Sequence, residues 1–264
     1  MLNALLASDW VSPSVDYHAL APEIVLGGGI LLLLLLDLFL SDAKKWVLTP
    51  VASFTLLGAF IPVLTVALDT DGARSLFDGR YVVDDFSLVL KALFLLAGYV
   101  VVLLSADHIR EGNYYQGEYW FLMLSSILGM VMMASSRDLV SIFVSLEFLS
   151  IPAYMLAAWR KRDPKSNEAG IKYYLLGVFA SAVMLYGMSL LYGAANTTLL
   201  VDLGKSVTND AEWVWEQVHA MYPSRRLIYR DTMGRWDEIV PTLPTDHFGE
   251  VTVNFRPYGE HLPF

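Results

Sequence analysis

Long apolar segments separated by short polar ones dominate the first three quarters of the chain. Each apolar segment has about 20 residues, enough for a helix to cross roughly 30 Å of hydrocarbon. Backbone polar groups in lipid must bond within their own segment, so each segment is predicted to be a helix. The six predicted spans are 23–42, 46–68, 85–105, 117–136, 138–159 and 171–193.

The composition separates this membrane region from a different C-terminal part. Of the 264 residues, 55% are hydrophobic and only 17% are charged, whereas soluble domains carry about 25% charged residues. Charged residues are sparse up to residue 200 and denser after it. We therefore predict an all-α membrane protein with an external N-terminal segment (1–21), helices 1–3 (22–110), helices 4–6 (111–200) and a non-membrane tail (201–264).

The basic residues of the short loops predict the orientation of the spans. Loops on the cytoplasmic side carry an excess of Lys and Arg. An external N-terminus places seven basic residues inside and three outside. The inner ones are Lys44, Lys45, Arg110, Arg160, Lys161, Arg162 and Lys165, and the outer ones are Arg74, Arg80 and Arg137. The tail would then lie outside.

The tail shows weak signals of a small α+β fold. Residues 209–222 have the pattern of a short amphipathic helix, 225–240 that of two strands around Met233-Gly234, and 250–256 that of a third strand. No family resemblance attaches to it. It could be a fused segment, an out-of-frame extension or a small module.

Several kinds of chemistry have no residues to support them. The chain has no cysteine, which excludes thiolate metal sites and disulfides. Its five histidines lack ligand spacing, and no phosphate-binding glycine loop is present. The net charge of −9 argues against nucleic acid as a partner. We expect the lipid bilayer to be a partner, and no cofactor or metal to be bound by this chain.

Four of the ionisable residues inside the predicted spans matter most, because charge is unfavourable there and often functional. They are Asp37, Lys91, Glu147 and Lys172. The first two and Lys172 lie close enough to a span end to reach an interface by snorkelling. Glu147 lies in the middle of its span, where a short side chain cannot do so. Burial favours its neutral form and a nearby ammonium its carboxylate, so it could hold and release a proton; alternatively, it only joins two helices by a hydrogen bond.

Proline and hydroxyl residues surround Glu147 in sequence. Pro152 cannot donate to the carbonyl of Phe148, which predicts a kink and a free carbonyl close to Glu147. Ser145, Ser150 and Tyr154 add hydroxyls. This combination is typical of a hydrated proton path, although a proline kink by itself is common in membrane helices.

The stretch 117–194 closely resembles subunit N of bacterial NADH–quinone oxidoreductase, respiratory complex I. Its most specific pieces are LGMVMMASSRDLVSIFVSLEFLS (128–150) and NEAGIKYYLLGVFASAVMLYGMSLLYG (167–193). The resemblance implies an antiporter-like proton-pumping subunit in the bacterial inner membrane, driven by quinone reduction elsewhere in the complex. It implies that Glu147 and Lys172, the lysine of the EAxxKY motif, transfer protons. NADH, quinone, flavin and iron–sulfur clusters would be bound by other subunits, and other membrane subunits would be its partners.

The resemblance ends near Thr198–Asp202, whereas the family continues for many more helices. The chain is therefore expected to be truncated and to form an incomplete channel. Two alternatives stay open: a cation/proton antiporter subunit of related ancestry, and an inactive chimeric fragment. The first part of the antiporter-like repeat, helices 4–6 at 111–200, would be present in each case.

Overall fold

A computed structural model describes residues 15–69, 72–111, 116–206, 229–230 and 236–237. The chain divides into two compact units, Met1–Leu203 and Gly204–Phe264. The first unit contains the long helices. The second contains a short two-stranded ladder.

Six helices of the described residues are long and apolar enough to cross a membrane. This confirms the predicted all-α membrane fold and its six spans. The helices are α1 (Ala21–Phe39), α2 (Leu48–Ala67), α3 (Asp85–Glu111), α4 (Gln116–Ser135), α5 (Leu139–Ala157) and α6 (Pro164–Ala195), with a 3₁₀ helix at Asp42–Val47 before α2 and further helical residues at 200–206. The external placement of the N-terminus stays a prediction.

Helix α4 is the centre of the helical unit. It packs against α1, α3 and α5, while α1 also contacts α2, and α2 contacts α3. Helix α6 packs on α5 at the edge. Accordingly, 61% of the apolar window of α4 is buried and none of the corresponding window of α6. Most apolar side chains of α6 are therefore left uncovered by the other described helices.

Side-chain caps set the start of the last two long helices. Asp138 accepts hydrogen bonds from the backbone of Val140 and Ser141 at the start of α5. Asp163 accepts one from Lys165, with Pro164 as the first residue of α6. Carboxylate caps and a first-turn proline are favoured at helix N-termini. Because of its polar first turns, α6 begins seven residues before the predicted start at 171. Lys172 therefore lies about two turns inside the helix.

A β-hairpin connects α2 to α3 and was not predicted. Strand β1 (Arg74–Leu76) pairs antiparallel with β2 (Tyr81–Val83), in a register that places Leu76 opposite Tyr81. The turn contains Gly79 at φ 82°, a left-handed conformation that glycine adopts readily. We call the end of the helices that carries this hairpin the hairpin end. It includes the first turns of α1, α3 and α5.

The second unit contains a short ladder inside the predicted strand region 225–240. Strand β3 (Tyr229–Arg230) pairs antiparallel with β4 (Trp236–Asp237). The predicted helix at 209–222 and strand at 250–256 lie outside the described residues. The α+β fold of the tail therefore stays a prediction.

Candidate functional site

Glu147 lies near the midpoint of α5 and is half-buried. Its Oε1 atom is buried and has no hydrogen-bond partner among the residues that the structure describes. Buried polar atoms are almost always hydrogen-bonded, to protein or to ordered water. A buried carboxyl oxygen with no protein partner is therefore suited to exchange a proton or bind water.

Close contact between α4 and α5 fixes the backbone beside Glu147. A Cβ atom on Gly129 would lie 2.5 Å from the backbone nitrogen of Leu149 and 2.9 Å from the carbonyl carbon of Phe148. Only glycine allows the two backbones to approach so closely, a device common in membrane helix pairs. The hydroxyl of Ser126 strengthens the crossing by donating to the carbonyl oxygen of Leu149 at 3.0 Å.

Pro152 interrupts the hydrogen-bond ladder of α5 within two turns of Glu147. The residue is buried inside the helix and has no N–H to offer to the Phe148 carbonyl. Two of the nearby hydroxyls point elsewhere. Ser145 Oγ lies 3.4 Å from Ser136 Oγ, and the Tyr154 hydroxyl lies against Gly177 of α6.

Lys172 is placed on an exposed face of α6 and pairs with its own helix. Its Nζ lies 2.5 Å from Glu168 Oε1, one turn earlier, and the lysine side chain is 70% exposed. No ion pair joins Lys172 to Glu147 among the described residues. The structure therefore does not bring the two predicted proton-transfer residues together. An i,i+4 carboxylate is always within reach on a helix, whereas Glu147 lies on another element.

The two remaining charged residues of the spans behave differently from each other. Asp37 lies 3.3 Å from Lys45 Nζ and is partly exposed, in agreement with a position near the span end. Lys91 does not snorkel, contrary to the interpretation from the sequence. Its side chain is fully buried, with Nζ 2.7 Å from Glu23 Oε1 in the first turn of α1.

Glu23 and Tyr81 complete a buried cluster that sequence reasoning missed. The Tyr81 hydroxyl donates to Glu23 Oε1 at 2.6 Å, and Lys91 Nζ lies 5.2 Å from the centre of the Tyr81 ring. Burial and the negative charge of Glu23 raise the pKa of the Tyr81 phenol, so it remains a donor. One signal was available: Glu23 and Lys91 have opposite charges and fall near the same ends of their spans.

Further ion pairs tie the hairpin end together. Arg137 Nη2 lies 2.7 Å from Asp84 Oδ2, and Arg80 Nη1 lies 2.8 Å from Asp138 Oδ1. Arg80 also donates to Thr198 Oγ1 at 3.1 Å. Partial burial alone would raise the pKa of Asp84, but hydrogen bonds from Ser87 and Arg137 outweigh it and lower that pKa below its usual value.

The helical part of the chain is similar to known membrane proteins. Residues 136–222 match the family model described as NADH:quinone oxidoreductase/Mrp antiporter, transmembrane. NADH-quinone oxidoreductase subunit N of Moorella thermoacetica is 38% identical over 192 residues, which are 73% of this chain and 40% of that protein. NAD(P)H-quinone oxidoreductase subunit 2 of Synechococcus elongatus is 39% identical over 189 residues, 69% of this chain and 36% of that protein. The chain thus spans about two fifths of the length of these relatives.

Solved structures agree with the sequence relatives. A chain of respiratory complex I from Thermus thermophilus superposes with a TM-score of 0.54 at 33% identity, covering 68% of this chain and 38% of that one. A chain of the archaeal membrane-bound sulfane sulfur reductase superposes with a TM-score of 0.57 at 21% identity, covering 70% and 39%. The second likeness shows a shared fold.

Proposed function

The matched part of this chain belongs to the family of NADH-quinone oxidoreductase subunit N, and we propose that the chain is a proton-translocating membrane subunit of such a complex. In this role it moves protons across a bacterial inner membrane. The driving force comes from quinone reduction in other subunits, and those subunits bind the NADH, flavin, iron–sulfur clusters and quinone. Its partners are the other membrane subunits.

The buried carboxyl of Glu147 is the observation that carries this proposal. Its Oε1 atom lies inside the helical unit without a protein hydrogen bond among the described residues. A carboxyl at the centre of a span is unfavourable unless it serves a purpose. In our proposal it takes up a proton from one side and releases it when a cation approaches, because a nearby positive charge favours the carboxylate.

Lys172 is the second proton-transferring group of the proposal. Its ammonium is held by Glu168 on an exposed face of α6. The exposed side chains around this ion pair are apolar, so at membrane depth the two charges, and not the apolar side chains, would need a further helix or water beside them. Because the chain spans about two fifths of its relatives' length, a partner cation for Glu147 would come from outside these six helices.

A cation/proton antiporter subunit is the alternative function. The description of the matching family names the Mrp antiporter beside the quinone oxidoreductase, which favours neither. The relatives named above are all quinone oxidoreductase subunits, which favours the first proposal. An inactive chimeric fragment is the remaining alternative.

Proton uptake by sealed inverted membrane vesicles containing the complex tests the proposal. Glu147→Gln keeps the size and polarity of the side chain but cannot release a proton. We expect it to lower proton uptake per NADH oxidised while the amount of chain in the membrane stays unchanged. Glu118→Gln is the matched control. Glu118 is about half exposed and pairs with Lys161, and it lies in the first turn of α4, at the end of that helix away from the hairpin.

Three outcomes would contradict the proposal. Equal proton uptake in Glu147→Gln and wild-type vesicles would remove the role of Glu147. Failure of the wild-type chain to co-purify with other subunits of the complex would remove its membership. Proton flux driven by a Na⁺ gradient without NADH would favour the antiporter.

A further inference from the structure

The buried cluster at the hairpin end contains ionisable groups that the proposed function does not use. Lys91 of α3 is fully buried, and the side chain of Glu23 of α1 is only 11% exposed. Their contact at 2.7 Å has the geometry of an ion pair rather than of an aligned hydrogen bond. The second carboxyl oxygen, Glu23 Oε2, is buried without a hydrogen-bond partner among the described residues.

This arrangement leaves the carboxylate of Glu23 incompletely stabilised. A buried ion pair is favourable only when further hydrogen bonds satisfy its remaining polar atoms. Glu23 receives one such bond, from the Tyr81 hydroxyl at 2.6 Å. The unpartnered Oε2 is the atom to which a proton would add, since a protonated carboxyl is easier to bury than a carboxylate.

A second carboxylate lies on the same face of α3 as Lys91. Asp84, immediately before α3, precedes Lys91 by seven positions, about two helical turns, and is itself paired with Arg137 at 2.7 Å. Asp84 and Arg137 are 29% and 30% exposed. The cluster therefore extends from fully buried Lys91 to groups in contact with solvent.

The other elements around the pair contribute no further charge. Helix α2 contains no ionisable residue, and the two in α4, Glu118 and Tyr119, lie at the opposite end of that helix. From α4 the Ser135 hydroxyl faces Tyr81. The ionisable groups beside the Glu23–Lys91 pair are therefore Tyr81 and Asp84, with Arg137 behind Asp84.

We propose that Glu23 is a proton-binding site, separate from Glu147, and that Lys91 balances its charge by exchanging between the carboxylates of Glu23 and Asp84. When a proton arrives from water, an O–H bond forms on Glu23 and the Glu23–Lys91 ion pair breaks. Lys91 keeps its three ammonium protons and pairs with Asp84. Arg137, whose side chain is 30% exposed, then turns to water.

The released proton returns to water by the same steps in reverse. The added positive charge thus ends on Arg137, the most exposed cation of the cluster, rather than on buried Lys91. This inference concerns proton binding alone and does not require that Glu147 carries protons or that the chain assembles into a complex.

Infrared spectroscopy of the purified full chain in lipid nanodiscs tests the site. A protonated carboxyl has a C=O stretching band that a carboxylate lacks, so the band reports the proton directly. We expect a band that grows as the pH falls, is lost in Glu23→Gln and is kept in Glu147→Gln. If no band is lost in Glu23→Gln at any pH at which the chain stays folded, Glu23 is permanently ionised and the proposal is wrong.

A milder variant keeps the proposal testable if Glu23→Gln does not fold. Tyr81→Phe removes only the hydroxyl that donates to Glu23, and a carbonyl that loses a hydrogen bond vibrates at higher frequency. We expect the pH-dependent band to shift upward in Tyr81→Phe and to stay in place in Tyr119→Phe, whose hydroxyl donates to Ser105 instead. An unshifted band in Tyr81→Phe would assign the proton to another carboxyl and overturn the proposal.

Discussion

Lys91 of α3 forms an ion pair with Glu23 of α1, with Nζ 2.7 Å from Oε1 and the lysine side chain fully buried. Removing one partner of a buried pair leaves an uncompensated charge, which costs about 3–5 kcal/mol. We therefore expect Lys91→Met to lower the free energy of unfolding of the chain by about that amount. Denaturant titration in detergent micelles, followed by helical circular dichroism, measures it.

The double variant separates pairing from packing. Glu23→Gln combined with Lys91→Met removes both charges, so it should recover most of the stability that Lys91→Met loses. Lys172→Met serves as the control, because Lys172 is 70% exposed and should change stability by less than about 0.5 kcal/mol. Additive losses in the double variant would show that the two residues are not coupled.

The crossing of α4 and α5 at Gly129 makes a second prediction. A methyl group there would overlap the backbone of Leu149, and overpacking typically costs about 1–3 kcal/mol. Gly129→Ala should therefore lower the free energy of unfolding by that amount. Gly187→Ala in α6 is the control, because a Cβ atom at Gly187 meets nothing within 4 Å. Equal stability of the two variants would mean that the helices separate there at no cost.

Asp138 combines a helix cap with an ion pair, and two substitutions distinguish these roles. Asparagine can still accept the bonds from Val140 and Ser141, so Asp138→Asn loses only the pairing with Arg80, which is about half exposed. We expect a loss of at most about 1 kcal/mol. Asp138→Ala also loses the cap and should cost about 1 kcal/mol more.

Thermal unfolding of the two Asp138 variants side by side measures this difference. If Asp138→Asn is as destabilised as Asp138→Ala, the charge rather than the cap is the main contribution at this position.

The pKa of Asp84 predicts a pH-dependent contribution to stability. Its pKa in the folded chain lies below the ordinary value of 3.8, so folding is favoured when the carboxyl is ionised. The contribution is fully present above that ordinary value and disappears as the pH falls through the lower folded-state pKa. The stability difference between wild type and Asp84→Asn should therefore shrink at acid pH.

Unfolding titrations at a series of pH values test this dependence. Asp78→Asn, in the hairpin turn, is the comparison. A wild-type advantage over Asp84→Asn that grows on acidification would contradict the assigned direction of the pKa shift.

Local signals determined much of the architecture. In lipid each span must satisfy its own backbone groups, so a run of about 20 apolar residues is sufficient to predict a helix. The start of α5 is likewise local, since Asp138 caps the turn that follows it. Glu147 could be singled out for the same reason: a carboxyl in the middle of an apolar run is conspicuous in the sequence itself.

Contacts between helices were decided only by the tertiary structure. Lys172 pairs with Glu168 and not with Glu147, and Lys91 is buried against Glu23 and not at an interface. These outcomes depend on how closely helices approach, as at Gly129, and on which faces meet. Two charges 68 positions apart become neighbours because α1 and α3 both pack against α2 and α4 and because Tyr81 of the hairpin contacts both side chains. The pattern along the chain therefore predicts the charges, and the three-dimensional packing determines their partners.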